Sequence, residues 1–92
     1  MTAGQIVCSK AGRDKGRFFV ILRTEEDFAW IADGDLRPLA HPKRKRQKHL
    51  APTSQRANEE DVQTDKRLRK LLTNYQTRST QSAIGGNKLV EE

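Results

Sequence analysis

The chain has 92 residues, of which 34% are apolar and 33% are charged, and its net charge is +6. A chain of this length forms one domain with a small core, and no stretch approaches the roughly 18 apolar residues of a membrane-spanning helix. Residues 1–50 carry a net charge of +5 and residues 51–92 only +1, so the basic excess lies in the N-terminal half and favours a polyanionic partner.

Three segments near the N-terminus predict β-strands. Residues 4–9 contain a short β-branched run, residues 17–23 are almost continuously apolar, and residues 28–32 alternate aromatic with aliphatic side chains. The apolar run in the second segment is too short for a buried helix but normal for a strand buried on both faces. A polar turn over residues 24–27 joins the second segment to the third.

Glycines mark the connections between these segments. Gly12 and Gly16 predict a tight turn with positive φ, and Asp33-Gly34 predicts a hairpin. A fourth strand is expected over residues 35–39, at a sheet edge because Pro38 lacks an N–H. Four short strands with tight turns predict a small antiparallel barrel over residues 1–40.

The second half of the chain predicts an arm, a helix and a tail. Residues 41–63 are expected to be a basic extended arm and linker, because the cations of residues 43–48 repel one another. Residues 64–78 predict an amphipathic helix capped by Thr64, whose leucine face docks either on the barrel or on a partner. Residues 79–92 are expected to form a flexible tail.

Five ordered sequence blocks carry a resemblance to a known family. Gly4, the Ile6-Val7 pair, Gly12, Gly16 and the Phe19-Val20 region match the KOW motif. Residues 9–16, 32–34, 36–39 and 42–50 continue the match, so residues 3–50 resemble the large-subunit ribosomal proteins of the group six-e, fourteen-e and twenty-seven-e. The chain looks most like their small bacterial relatives, the KOW-domain RNA-binding proteins.

This resemblance implies an SH3-like barrel that binds RNA, often ribosomal RNA, and it supplies no catalytic residues. The fold class expected is therefore mainly β, an SH3-like (KOW) barrel followed by a basic extended arm and one C-terminal helix. Since a fold alone does not determine the ligand, the side chains of the site decide the function.

Eleven side chains are candidate RNA contacts. Cations beside the glycine turn and in the basic run suit phosphate oxygens, which most protein–nucleic acid hydrogen bonds address. The candidates are Lys10, Arg13, Lys15, Arg17, Arg37, Lys43, Arg44, Lys45, Arg46, Lys48 and His49. For residues 43–48, a solvated spacer and a targeting signal are the alternatives. Asp14 would repel phosphate and is assigned to holding the turn or pairing with Arg13.

Aromatic and metal-binding roles receive less support. Phe28 and Trp30 share one face of a strand and are expected to fill the core, although stacking on RNA bases is the alternative. His41, His49 and Cys8 lack the spacing of metal ligands, so neither a metal nor a cofactor is expected. No nucleophile elbow or phosphate loop is present, which predicts a protein without enzymatic activity or a small-molecule substrate.

Three hypotheses for function follow. The first is an RNA-binding protein, ribosomal or ribosome-associated, that recognises mainly RNA shape and contacts ribosomal RNA and ribosomal proteins. The second is a protein-interaction adaptor that uses the barrel and the leucine face of the helix. DNA binding is third, because no helix-turn-helix or zinc-finger pattern is present. The lone Cys8 and the absence of a secretory pattern after Met1 predict a cytoplasmic location without membrane binding.

Overall fold

Five antiparallel strands and one C-terminal helix make up the fold. The computed structural model describes residues 1–85, and the side chains of residues 1–75. The strands are β1 (Gln5–Ser9), β2 (Phe18–Glu25), β3 (Phe28–Ala32), β4 (Lys43–Arg46) and β5 (Leu50–Arg56), and the helix is α1 (Asp65–Gly85). They form one sheet in the order β4-β3-β2-β1-β5. The prediction of a small, mainly β protein with one C-terminal helix is therefore confirmed.

The sheet has an apolar cluster on each face. On one face, Val7, Phe19, Ile21, Ala29, Ile31 and Leu50 pack together. On the other face, Ile6, Val20 and Ala32 pack against Leu68 and Leu72 of α1. The two clusters follow from the period of two along β1, β2 and β3, which sends neighbouring side chains to opposite faces. The leucine face of the helix thus docks on the sheet, which decides between the two partners left open by the sequence.

Helix α1 begins where the sequence predicts. The backbone N–H of Arg67 donates to the Thr64 hydroxyl at 3.2 Å, which is an N-cap bond. The helix continues to Gly85, beyond the predicted end at residue 78, because residues 79–84 contain neither glycine nor proline. Part of the predicted tail is therefore helical, and its remainder, residues 86–92, lies outside the described residues. No helix in the described part of the chain is long and apolar enough to cross a bilayer.

Two contacts fix the start of α1 against the turn that follows β3. The Asp65 carboxylate accepts the Leu39 N–H at 2.7 Å. Gly34, with φ of +78°, lies so close to the helix that an added Cβ would clash with the Asp65 carbonyl and lie 3.0 Å from the Arg69 nitrogen. A side chain at position 34 would therefore push the helix away from the sheet.

The fourth strand predicted over residues 35–39 is not formed, and this prediction was wrong. The Asp33 carboxylate accepts the N–H groups of Asp35 and Arg37 at 3.0 and 2.8 Å. Pro38 has no N–H, and the Leu39 N–H is taken by the helix. The N–H groups of Asp35, Arg37 and Leu39 are thus bonded to side-chain carboxylates and are not available for a strand ladder.

Strands β4 and β5 lie where an unstructured arm and linker were predicted. Lys43–Arg46 pairs with β3 in the register Phe28↔Arg46 to Ile31↔Lys43, and Leu50–Arg56 pairs with β1. Both are outer strands of the sheet, where Pro52 is tolerated because one side of the strand needs no donor. Mutual repulsion within the basic run is offset because alternate side chains point to opposite faces.

Candidate nucleic-acid interface

A buried ion pair joins the glycine-rich loop to strand β4. The glycine loop, residues 10–17, turns through Gly12 and Gly16 at φ of +88° and +89°, as predicted. At its centre Asp14, 2% exposed, accepts hydrogen bonds from Lys45 Nζ at 2.5 Å and from Ser9 Oγ at 2.7 Å. Lys43 Nζ lies 3.5 Å from the other carboxylate oxygen. Asp14 therefore holds the turn, as expected, but it pairs with Lys45 and Lys43 rather than with Arg13.

The charge of Asp14 is stabilised by these partners. Burial opposes ionisation and raises the pKa of the carboxyl group. Hydrogen bonds from Lys45 and Ser9, together with the positive charges of Lys45 and Lys43, outweigh burial and lower the pKa to about 2. The Asp14 carboxyl group is thus ionised across the whole neutral range.

Ser9 and Lys45 approach each other like the nucleophile and base of a serine–lysine pair. Lys45 Nζ lies 2.6 Å from Ser9 Oγ and also donates to the Ala11 carbonyl at 2.8 Å. However, Ser9 is 2% exposed and Lys45 is 7% exposed. No substrate carbonyl could reach a hydroxyl enclosed in this way, so the geometry supports a structural role for the cluster.

Three cations of the glycine loop are free for a ligand. Lys10, Arg13 and Lys15 are exposed. The backbone N–H of Lys10 donates to the His49 carbonyl at 2.8 Å, which places the loop beside the turn after β4. The two segments predicted to bind RNA therefore lie side by side.

Strand β4 divides its own cations between two faces. Arg44 and Arg46 are exposed, whereas Lys43 is half-buried and Lys45 is buried against Asp14. Lys48, in the following turn, is also exposed, and His49 is half-buried. Lys45 was a predicted RNA contact, but its ammonium group is occupied within the protein and does not face solvent.

Arg37 lies in the turn that replaces the predicted fourth strand, and the side chain of Arg17 reaches this turn from the glycine loop. Arg17 bonds to Asp33 at 3.0 Å and to Asp35 at 3.3 Å, and the hydrogen bond to Asp33 raises the pKa of its guanidinium. The Nε of Arg37 is enclosed and has no hydrogen-bond partner among the described residues. The charge of Arg17 therefore serves the turn.

A second cationic feature covers part of the sheet that α1 leaves open. We call it the arginine–aromatic surface, and it consists of Arg23, Phe28, Trp30, Arg44 and Arg46. The Arg23 guanidinium lies 3.8 Å from the centre of the Trp30 ring. The Arg44 guanidinium lies 3.6 Å from the centre of Phe28 and 6.0 Å from that of Trp30, and Arg46 lies 4.9 Å from Phe28.

The location of Phe28 and Trp30 corrects the expectation that they fill the core. Both are half-buried on one face of β3, while Ala29 and Ile31 point to the other face and are fully buried. The prediction that the two rings share a face of β3 is confirmed. They lie on the face opposite to the expected one because the small interior is filled by aliphatic side chains and Phe19.

Arg23 was missed as a site residue. Its signal would have been the pairing of β2 with β3, which sets Arg23 opposite Trp30. Similarly, the register Trp30↔Arg44 and Phe28↔Arg46 brings the basic run over the rings. The pairing of β3 with β4 cannot be inferred while residues 43–46 are treated as unpaired, and the position of Arg23 opposite Trp30 depends on a register shift between Ile21 and Arg23. Comparison with protein-family models and with curated proteins finds no match to this chain.

Proposed function

We propose that this protein binds RNA as a ribosomal or ribosome-associated protein and has no enzymatic activity. The observation that carries the proposal is the contact between the glycine loop and strand β4 through Asp14, Lys43 and Lys45. This contact brings together two basic segments that are distant in sequence, the glycine loop and the segment from β4 to the following turn. A gathered positive field of this kind attracts the phosphate backbone.

Six exposed cations form the proposed phosphate-binding set. Each belongs to the glycine loop or to the segment from β4 to the following turn, and none forms an ion pair with the described residues. They are Lys10, Arg13, Lys15, Arg44, Arg46 and Lys48. Because β4 is an ordered strand, two of them, Arg44 and Arg46, are held in place before RNA arrives. Less conformational entropy is therefore lost on binding than with an unfolded arm.

The strand arrangement supports the SH3-like (KOW) interpretation of the fold. Strands β1 to β4 follow one another as antiparallel neighbours, and β5 returns to pair with β1. The positive φ of Gly12 and Gly16 supplies the turn between β1 and β2 that the KOW motif implies. We include ribosomal RNA as the ligand on the strength of that resemblance.

The adaptor hypothesis loses one of its two surfaces. Leu68 and Leu72 are 0% and 5% exposed because they pack on Ile6, Val20 and Ala32. A partner could reach this leucine face only if α1 left the sheet. RNA binding is therefore the better-supported proposal.

The test measures binding of the full chain to purified ribosomal RNA at increasing salt. Six phosphate contacts should give a slope of about −4 to −5 in a plot of log affinity against log salt. Affinity that stays flat between low and moderate salt would overturn the electrostatic mechanism. Sedimentation with ribosomal subunits, repeated after nuclease treatment at high salt, separates an RNA tether from an apolar protein contact.

A charge-matched pair of variants localises the interface. Replacing Arg44, Arg46 and Lys48 with Gln should reduce the slope by roughly 2–3 units. The control replaces the same number of exposed helix cations, namely Lys66, Arg67 and Lys70, and should leave the slope nearly unchanged. Equal reductions of the slope in both variants would show that only net charge determines binding and that the proposed location of the interface is wrong.

A further inference from the structure

The arginine–aromatic surface has a composition that phosphate binding alone does not require. Phe28 and Trp30 are half-buried rings whose exposed faces are covered by guanidinium groups rather than by apolar side chains. Helix α1 covers the neighbouring part of the same sheet face, where Ala32 packs, but it does not cover the two rings. The rings are thus accessible once the arginines move.

The arginines of this surface are held mainly by the rings. Arg23, Arg44 and Arg46 are exposed and form no ion pair with any described residue. An exposed cation–π contact contributes about 0.5–1 kcal/mol, whereas a nucleic acid base stacked on an aromatic ring contributes about 1–3 kcal/mol. A base can therefore displace a guanidinium from a ring, and the displaced guanidinium becomes available to a phosphate.

We propose that the arginine–aromatic surface binds unpaired RNA bases by stacking on Phe28 and Trp30. This inference rests on the proposed RNA-binding function and names the class of RNA. An incoming base takes the place of Arg44 above Phe28, or of Arg23 above Trp30, while the arginine turns to the adjacent phosphate. Bases inside an A-form duplex cannot present their faces in this way, so the ligand is a loop, bulge or single-stranded end.

Trp30 is the only tryptophan in the chain, so its fluorescence reports on this surface alone. The experiment titrates the full chain with two RNAs of equal length and charge, a hairpin with an unpaired loop and a blunt duplex. We expect the hairpin to bind about tenfold more tightly and to quench Trp30 fluorescence. The duplex should bind without quenching, through phosphate contacts alone.

Two variants separate stacking from charge. Phe28→Leu keeps an apolar side chain but removes the ring, and it should weaken hairpin binding about tenfold while leaving duplex binding within about twofold. Lys10→Ala is the control, since loss of one exposed cation from the glycine loop should weaken the binding of both RNAs by the same factor. Circular dichroism of each variant checks that the fold is retained.

The outcomes distinguish this inference from the proposed function. If both RNAs bind equally and Trp30 is not quenched by either, RNA binding stands and the stacking inference is overturned. If neither RNA binds at low salt, the proposed function fails as well. The wild-type quenching measurement does not depend on whether a variant folds.

Discussion

Replacement of Asp14 by Asn should destabilise the protein strongly, because it leaves the Lys45 ammonium buried without a counter-charge. Lys45 is 7% exposed and Asp14 is 2% exposed. The Asn variant approximates a protonated carboxyl, and lowering the pKa from 3.8 to about 2 corresponds to about 2 kcal/mol. Removing one partner of a buried ion pair costs about 3–5 kcal/mol in other proteins. We therefore expect a loss of about 2–4 kcal/mol in the free energy of unfolding.

Urea denaturation followed by circular dichroism measures this loss. With an m-value of about 1 kcal/mol per molar urea, the midpoint should fall by roughly 2–4 M. The double variant Asp14→Asn with Lys45→Met should recover at least about 1 kcal/mol, because it removes the uncompensated charge. Asp27→Asn, at an exposed hairpin carboxylate, is the control and should change stability by less than about 0.5 kcal/mol. A midpoint for Asp14→Asn no lower than that of the control would refute the reasoning.

Three further predictions concern the fold. The unfolded chain binds more protons than the folded one between about pH 4 and pH 2, because the pKa of Asp14 is lowered to about 2 on folding. The stability contributed by Asp14 is therefore complete above pH 4, and about 2 kcal/mol of it is lost as the pH falls through this window. The urea midpoint of the wild type should then converge with that of Asp14→Asn at pH 2. Gly34→Ala should lower the free energy of unfolding by about 2–3 kcal/mol, because the new methyl group clashes with the backbone of α1. Thermal melting measures this loss, and an unchanged melting temperature would contradict the close approach of α1 to Gly34. Glu26→Gly should raise the melting temperature by up to about 5 °C, because Glu26 has φ of +52° in the turn between β2 and β3, and a lower melting temperature would show that this backbone is not strained.

The parts of the fold that the sequence predicts are those governed by local pattern. Strands β1, β2 and β3 carry apolar runs, the glycine turn needs positive φ at Gly12 and Gly16, and Thr64 caps α1. Each of these signals lies within a few neighbouring residues. Each was predicted because local propensity and tertiary structure agree at these positions.

The parts that were not predicted depend on partners distant in sequence. Strand β4 contains only Lys and Arg, and it is a strand because β3 pairs with it and Asp14 neutralises its buried lysine. Leu50–Arg56 is largely polar and contains Pro52, yet β1 supplies its hydrogen bonds. Tertiary pairing overrides weak intrinsic strand propensity at such positions.

The sequence indicates both segments of the candidate site and the six cations of the proposed phosphate-binding set, but not Arg23 or the exposure of Phe28 and Trp30. The glycine loop and the basic run were both identified, and the structure places them side by side. A period of two shows that Phe28 and Trp30 share a face, but it does not say which face is covered. Which face is covered depends on how much of the interior volume the other strands fill, and no local sequence pattern gives this volume.

The alternation along Lys43–Arg46 gives the basic run two kinds of position. Even-numbered residues in this strand lie over the rings at the solvent-facing side, and odd-numbered residues reach towards Asp14. Substitution of each residue of the strand in turn should therefore give effects that alternate along the strand. Substitutions at positions 44 and 46 should change ligand affinity, and substitutions at position 45 and, more weakly, at position 43 should change the melting temperature. Mutations in this strand can therefore change ligand affinity without changing thermal stability, or the reverse, although the codons concerned are adjacent.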